Sequence, residues 1–316
     1  MTRVVVVGAG VIGLSAAVRL AEAGYDAHVL ARDLPAETTS AVAGALWLPY
    51  RADPPERVAV WARATFSELA SIHERDGDAG VLLREGVLLH GADSTRPAWA
   101  DAVDGLATLQ AVTDPAPGYA AGWQLRVPLV DMGRYLPWLV ARLEAAGGTV
   151  TRMPLPSLPN RGVVVDATGV SARAMAHDDT VRPVRGQVVV VENPGLSRWL
   201  VDETERDGEL TYVLPRTDTV VLGGTAVEDD WDPLPRPDVA ARILERATAL
   251  VPELRGVRVL RHRVGLRPAR PAVRLETESV GDATVVHCYG HGGSGVTLSW
   301  GCADDVLAAV QDAAGP

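Results

Sequence analysis

Val4-Val5-Val6-Val7-Gly8-Ala9-Gly10-Val11-Ile12-Gly13 stands almost at the start of the chain and decides its fold. Four consecutive valines read as a short strand buried on both faces, as in a parallel sheet. Gly8, Gly10 and Gly13 have the G-x-G-x-x-G spacing. The first lets a turn stay tight, the second lets backbone approach a pyrophosphate, and the third lets the following helix pack on the strand. From Val11 to Ala23 small and apolar residues recur at helical spacing, Arg19 and Glu22 point outward, and Gly24 suits a helix C′ position. Asp26 to Leu30 reads as a second strand. The result is a βαβ unit whose helix N-terminus stabilises an anion.

Further along, Asp53-Pro54-Pro55-Glu56 starts a helix running to about Arg75, and Leu82 to His90 reads as paired short strands. Pro115-Ala116-Pro117-Gly118 is a turn, and Asp131 to Ala146 is an amphipathic helix closed by Gly147-Gly148. Val163 to Asp166 is again a buried strand, followed by Ala167-Thr168-Gly169. Gln187 to Val191, Thr211 to Leu214 and Thr219 to Leu222 have the content of a separate sheet, and a proline-rich segment at 232–237 leads into a helix through Leu250. Ala283 to Tyr289 is a strand, Gly290 to Gly295 a glycine loop and Val296 to Val310 a helix. A parallel sheet needs its strands side by side, so the nucleotide domain is expected to be discontinuous. It would take 1–50, 129–170 and 283–316, with 51–128 and 171–282 forming an inserted substrate domain.

The chain has 316 residues, enough for one large domain or two interlocked ones. With 40 acidic residues against 30 basic, its net charge is -10, leaving no basic footprint for nucleic acid or anionic lipid. All the basic residues are arginines, and without lysine Schiff-base and lysine-assisted chemistry are excluded. No apolar run approaches the roughly 18 residues of a membrane helix, and Met1-Thr2-Arg3 passes into the first strand without a leader pattern. A soluble cytoplasmic protein is expected. Cys288 and Cys302 are too few for a disulfide framework or a zinc cluster and read as small buried hydrophobes in a reducing compartment.

The acid that usually ends the second strand comes late, in Leu30-Ala31-Arg32-Asp33. Arg32 could serve the 2′-phosphate of NADP or reach adenosine phosphates, and these residues alone leave that choice even. Tyr289-Gly290-His291-Gly292-Gly293-Ser294-Gly295-Val296-Thr297 adds a second glycine loop before a second helix. Two such loops suit a long cofactor, the second helix N-terminus facing the negative charge that develops on a reduced flavin, so non-covalent FAD is favoured.

The sequence resembles the D-amino-acid oxidase family through motifs spread over nearly its whole length. They are Gly8 to Ser15, Thr38-Thr39-Ser40 with Ala43 to Tyr50, Ala167-Thr168-Gly169, Arg185-Gly186-Gln187, Tyr212-Val213-Leu214-Pro215, Val264-Gly265-Leu266-Arg267-Pro268 and Gly290-His291-Gly292-Gly293. Leu30 to Pro35 looks like the version in the yeast branch of that family. The resemblance implies an α/β protein with a Rossmann-like FAD-binding domain and an inserted α+β domain carrying a mixed or antiparallel sheet. The cofactor set it implies is Gly8, Gly10, Val11, Ile12, Gly13, Arg32, Asp33, Thr38, Thr39, Ser40, Gly44, Ala45, Leu46, Thr168, Gly169, Arg267, Gly292, Gly293, Gly295, Val296 and Thr297. Arg267 looks like the arginine that forks onto the substrate carboxylate, Tyr212 like the tyrosine that bonds the same group, and the Gly293 carbonyl would accept from the ammonium. Leu46, Leu48 and Leu214 would line an apolar side-chain pocket, while Arg216, two residues beyond Leu214, is a candidate to hold a second carboxylate. His291 reads as a loop histidine without a proton-transfer role.

The implied activity is FAD-dependent oxidative deamination of a neutral D-amino acid by hydride transfer to flavin N5, yielding a 2-oxo acid, ammonia and hydrogen peroxide. D-aspartate oxidase and glycine oxidase remain same-fold alternatives. An NADP-dependent dehydrogenase and a non-catalytic dinucleotide sensor are the rivals from other classes. The expected partners are a D-amino acid and O2, with a homodimer left open and neither nucleic acid nor membrane involved. Asp202 to Leu210 is short and tyrosine-free, with Gly208 where some family members carry an active-site tyrosine in a mobile lid, so a reduced lid and fast product release are expected.

Overall fold

The computed structural model describes residues 2–49, 52–90, 96–97, 99–100, 105–206 and 209–314. The valine run forms β1 (Arg3–Val7), with Val4 and Val6 fully buried, and leads into α1 (Val11–Glu22) and β2 (Asp26–Ala31). Next come α2 (Thr39–Val42), α3 (Pro55–Arg75), β3 (Val81–His90), β4 (Gln110–Ala116), β5 (Tyr119–Val130), α4 (Met132–Ala145), β6 (Thr149–Arg152) and β7 (Arg161–Asp166). The second half supplies α5 (Ala172–Met175), β8 (Arg182–Glu192), β9 (Trp199–Arg206), β10 (Glu209–Pro215), β11 (Thr219–Gly223), β12 (Val227–Glu228), α6 (Pro237–Leu250), β13 (Val259–Ala269), β14 (Arg274–Val280), β15 (Asp282–Tyr289) and α7 (Gly295–Ala314).

The first sheet has the order β14-β15-β7-β1-β2-β6. Its strands pair in parallel except β14, which turns back antiparallel onto β15 at the edge. Segments from the beginning, middle and end of the chain thus meet in one sheet, the discontinuity that parallel pairing demanded. Two details differ from the sequence expectation. Residues 274–280, assigned to the insert, belong to this sheet. Helix α3, also assigned to the insert, packs on α7 so closely that a Cβ on Gly301 would lie 2.3 Å from the Trp61 Cα. Trp61 donates to Asp305 at 2.8 Å, and Thr65 Oγ1 accepts from the backbone N–H of Trp300 and Gly301. The expected boundary at 50–51 lies outside the described residues.

The second sheet runs β13-β8-β11-β10-β9-β3-β5-β4, the short β12 pairing β8 on the same edge as β11 and just beyond it. It is mixed, because β3 and β9 pair in parallel and the rest are antiparallel. Leu82 to His90 lies within a single strand, β3, paired with β5 along its length, rather than in two short ones. Gly86 lies within β3 because Trp199 lies across it: a Cβ there would be 2.0 Å from the indole ring.

The two-residue period of β8, β10 and β11 sends alternate side chains to opposite faces. Val189, Val191, Val213, Val220 and Leu222 pack against Val239, Ile243 and Ala247 of α6. On the same side, buried Arg185 donates to the carbonyls of Asp232 and Leu234, and Gln187 donates to that of Arg236, holding the proline-rich approach to α6. Gly186, Val188, Tyr212 and Leu214 face the other way, toward the first sheet. The space between the sheets is the functional cavity.

Candidate active site

A continuous cavity of about 790 Å³ runs from the C-terminal ends of β1 and β2, past the N-terminus of α1, to the face of the second sheet and the N-terminus of α7. At its first end Gly8 adopts φ +118, and a Cβ there would lie 2.3 Å from the Ala167 carbonyl oxygen. Gly13 does not reach the cavity. A Cβ on it would lie 2.0 Å from the Gly8 oxygen, so its part is to seat α1 against the turn. Gly10, Val11 and Ile12 line the wall, and the Val11 N–H finds an external cap in Ser40 Oγ at 3.0 Å.

Neither α1 nor α7 carries an acidic residue in its first turn. Both helix N-termini therefore meet the cavity with the partial positive charge of the helix dipole, Ser40 taking up the Val11 N–H of α1. An elongated cavity with a glycine cradle and two such ends fits a dinucleotide: Gly8, Gly10 and the N-terminus of α1 would hold its diphosphate, and the loop before α7 would face its ring system.

The remaining wall is fixed by bonds behind it. Arg32 and Asp33 line the far end and pair with each other, Nη2 to Oδ2 at 2.6 Å. Thr38 and Thr39 donate to the Pro35 and Leu266 carbonyls, so the 38–48 stretch is tied to β13. Gly44, Ala45, Leu46 and Leu48 continue the wall. Ala45 holds φ +61, a rare region for a residue with a Cβ, pinned by Val130 N–H donating to its carbonyl at 3.0 Å. Thr168 and Gly169 also line the cavity. Their turn is set by fully buried Asp166, which accepts from the Thr168 N–H and hydroxyl with one oxygen and bonds His287 Nδ1 with the other at 3.0 Å. Asp166 escaped the sequence reading, although a lone acid at the end of a buried parallel strand was the available signal.

Tyr212 and Arg267 come together on the second sheet, from strands separated by β11 and β8. The residues between them are glycines. A Cβ on Gly223 would lie 2.4 Å from the Tyr212 Cζ and Oη, and one on Gly186 would lie 2.5 Å from the Arg267 Cζ. Both side chains therefore lie across the sheet with their polar ends in the cavity. Burial raises the Tyr212 hydroxyl above its ordinary pKa, opposed by the Arg267 guanidinium beside it, and so keeps the phenol a donor. Arg267 Nη1 donates to the Thr225 carbonyl at 2.9 Å, and among the described residues no carboxylate lies within 4.0 Å of its guanidinium. Arg32 and Arg270, the other arginines of this wall, are bound to Asp33 and Asp178.

Leu46, Leu48 and Leu214 line the same region, as do Gly292, Gly293, Gly295 and Val296. Gly292 holds φ +53 and donates to the Pro268 carbonyl at 2.9 Å, joining the loop before α7 to the strand of Arg267. Thr297 turns away: its hydroxyl donates to the Leu48 carbonyl and accepts the Leu48 N–H, a clamp behind the wall and not a wall residue.

Arg216 also differs from expectation. It is buried and outside the cavity lining, with Nη1 3.3 Å from Asp131 and Nη2 donating to the Ala43 carbonyl at 2.9 Å. Pro215 ends β10, the chain turns at Thr219, and Asp131, which also caps α4, captures the guanidinium. A second substrate carboxylate finds no free charge there.

The lid expectation falls partly outside the described residues, since Gly208 is among those not described. β9 and β10 pair out to Arg206 opposite Glu209, leaving two residues between them. Product dissociation is accordingly expected not to limit turnover. Stopped-flow measurement of product release at a rate equal to kcat would reject this.

No helix of the described residues is long and apolar enough to cross a membrane. The profile described as FAD dependent oxidoreductase, DAO, matches residues 3–309. A D-amino-acid oxidase of Rubrobacter xylanophilus is 49% identical over 314 residues, 98% of this chain and 95% of that protein. The human D-aspartate oxidase is 36% identical over 328 residues, 98% of this chain and 95% of its own. Among solved structures, a glycine oxidase from Bacillus cereus superposes with a TM-score of 0.81 at 19% identity, covering 100% of this chain and 96% of that one, a likeness of fold. Profile, identity over the full length and the two-ended anion cavity converge, and the chain belongs to the DAO family of FAD-dependent oxidoreductases.

Proposed function

We propose that this protein is a D-amino-acid oxidase acting on neutral side chains. The observation that carries the reading is Arg267, a cation in the cavity wall with no carboxylate partner among the described residues, beside a phenol held protonated. A planar guanidinium and an adjacent hydroxyl grip a carboxylate with three donors. The Gly293 carbonyl, on the loop that lines the cavity before α7, accepts from the α-amino group, close approach there being open to a residue without a side chain. With the acid and amine ends fixed, one enantiomer directs its Cα hydrogen toward the cofactor. FAD, when bound, supplies a two-electron acceptor that O2 regenerates with release of hydrogen peroxide.

The chain offers no lysine, and Tyr212 is kept as a donor, so the substrate enters with its amine neutral and leaves as an imine that water hydrolyses to a 2-oxo acid and ammonia. Leu46, Leu48 and Leu214 favour an apolar side chain. The pairing of Arg216 with Asp131 removes the main support for D-aspartate. The two free thiols suit a reducing cytoplasm. Peroxide release across D- and L-amino acids tests the reading: neutral D-amino acids should exceed D-aspartate, glycine and every L-enantiomer in kcat/KM. Highest kcat/KM for D-aspartate or glycine, or no peroxide from any D-amino acid, would overturn it.

A further inference from the structure

Cys288 and Cys302, 14 positions apart in sequence, meet where β15 packs on α7. Their sulfur atoms and a ring nitrogen of His291 all lie within 4.8 Å of one another, with Cys288 Sγ 4.0 Å from His291 Nε2. Cys288 and His291 are in the cavity wall, whereas Cys302 stands behind them and does not line it. The two thiols are unlike in acidity. Hydrogen bonds from Cys302 and then His291 hold Cys288 below the ordinary thiol range against its burial, while burial and the neighbouring Cys288 push Cys302 up. The cavity-side sulfur is thus the one with thiolate character, and thiolate is the nucleophilic form.

We propose that Cys288 and Cys302 are a peroxide-trapping dithiol, with Cys288 the attacking sulfur and Cys302 the resolving one. The Cys288 sulfur attacks one oxygen of hydrogen peroxide, the O–O bond breaks, and sulfenic acid and water form after proton transfer. The Cys302 sulfur then displaces the hydroxyl, which leaves with the Cys302 proton as a second water, and the S–S bond closes. Two thiols lose two electrons and two protons, and one peroxide becomes two waters. A small thiol reductant reverses the change by exchange. The source of peroxide in the cavity is the oxidase reaction, so this proposal rests on that reading for its natural oxidant but not for its chemistry. A metal ion on the same three groups is the competing occupant.

Cys288 and Cys302 are the only cysteines in the sequence, so thiol counts are unambiguous. The holoenzyme without amino acid is treated with reagent peroxide, alkylated and denatured. The expected result is a fall from two free thiols to none, a Cys288–Cys302 cross-linked peptide by mass spectrometry, and recovery of both thiols with dithiothreitol. In Cys302→Ser, dimedone should label Cys288; in Cys288→Ser, the Cys302 thiol should survive the same exposure. Two intact thiols in the treated wild type, labelling of Cys302 in place of Cys288, or a tightly held equivalent of zinc masking both thiols would each overturn the proposal. Turnover of a D-amino acid should then give the same cross-link with no peroxide added. Cross-linking by the reagent without cross-linking in turnover would count against the oxidase reading and leave the dithiol standing.

Discussion

Arg267→Ala is expected to lower kcat/KM for a neutral D-amino acid by roughly 30- to 5,000-fold, the equivalent of the about 2–5 kcal/mol lost when one partner of a buried charge pair is truncated. The loss should fall on both constants. KM rises because the carboxylate loses its fork, and kcat falls because an amino acid held by fewer bonds aims its Cα hydrogen less well. Arg267→Lys retains the charge but not the planar two-point geometry, so it should recover only part of the loss. The measurement is steady-state peroxide release, with the visible flavin spectrum recorded to show that cofactor remains. A variant with full flavin content and kcat/KM within threefold of the wild type would remove the guanidinium from the proposed site.

The parts of the structure written in contiguous residues were legible beforehand. The valine run, its glycines and the helix after them state a local period and a local turn, and β1, the turn and α1 appear where that pattern put them. The strand at Val163 was joined to β1 by a physical necessity, since a parallel strand cannot stand unpaired. What stayed hidden depends on register between distant strands. β14 reads as a mixed polar stretch and is a strand only because β15 offers it an edge. Arg216, two residues beyond Leu214, stands just past the end of β10, and its guanidinium is taken by Asp131, 85 positions away in sequence. The two cysteines show the same limit, because their spacing of 14 matches no ligand motif and only the packing of α7 on β15 makes them neighbours.

The RGQ motif makes the point that leads to the second large effect. Arg185 and Gln187 serve the α6 side of β8, and the glycine between them serves the cavity. Gly186 is not needed for a left-handed backbone, as Gly8 is; it is needed for space. Gly186→Ala places a methyl group 2.5 Å from Arg267 Cζ, Nη1 and Nη2. The atom that must move is the end of a flexible side chain, so the strand can remain and the guanidinium shifts, giving up its bond to the Thr225 carbonyl. Misplacement of a binding group by about 1 Å costs about 10²-fold, and kcat/KM should fall by that order while flavin content and Tm stay near the wild type. Gly223→Ala meets a stiffer obstacle, the ring and hydroxyl of Tyr212 at 2.4 Å, and overpacking of that kind costs about 1–3 kcal/mol of stability in addition to activity. The pair therefore separates position from stability at a single site. Wild-type kcat/KM in Gly186→Ala would mean that the guanidinium works from a different place, and a lower Tm in Gly186→Ala than in Gly223→Ala would mean that the flexible side chain does not yield as the geometry requires.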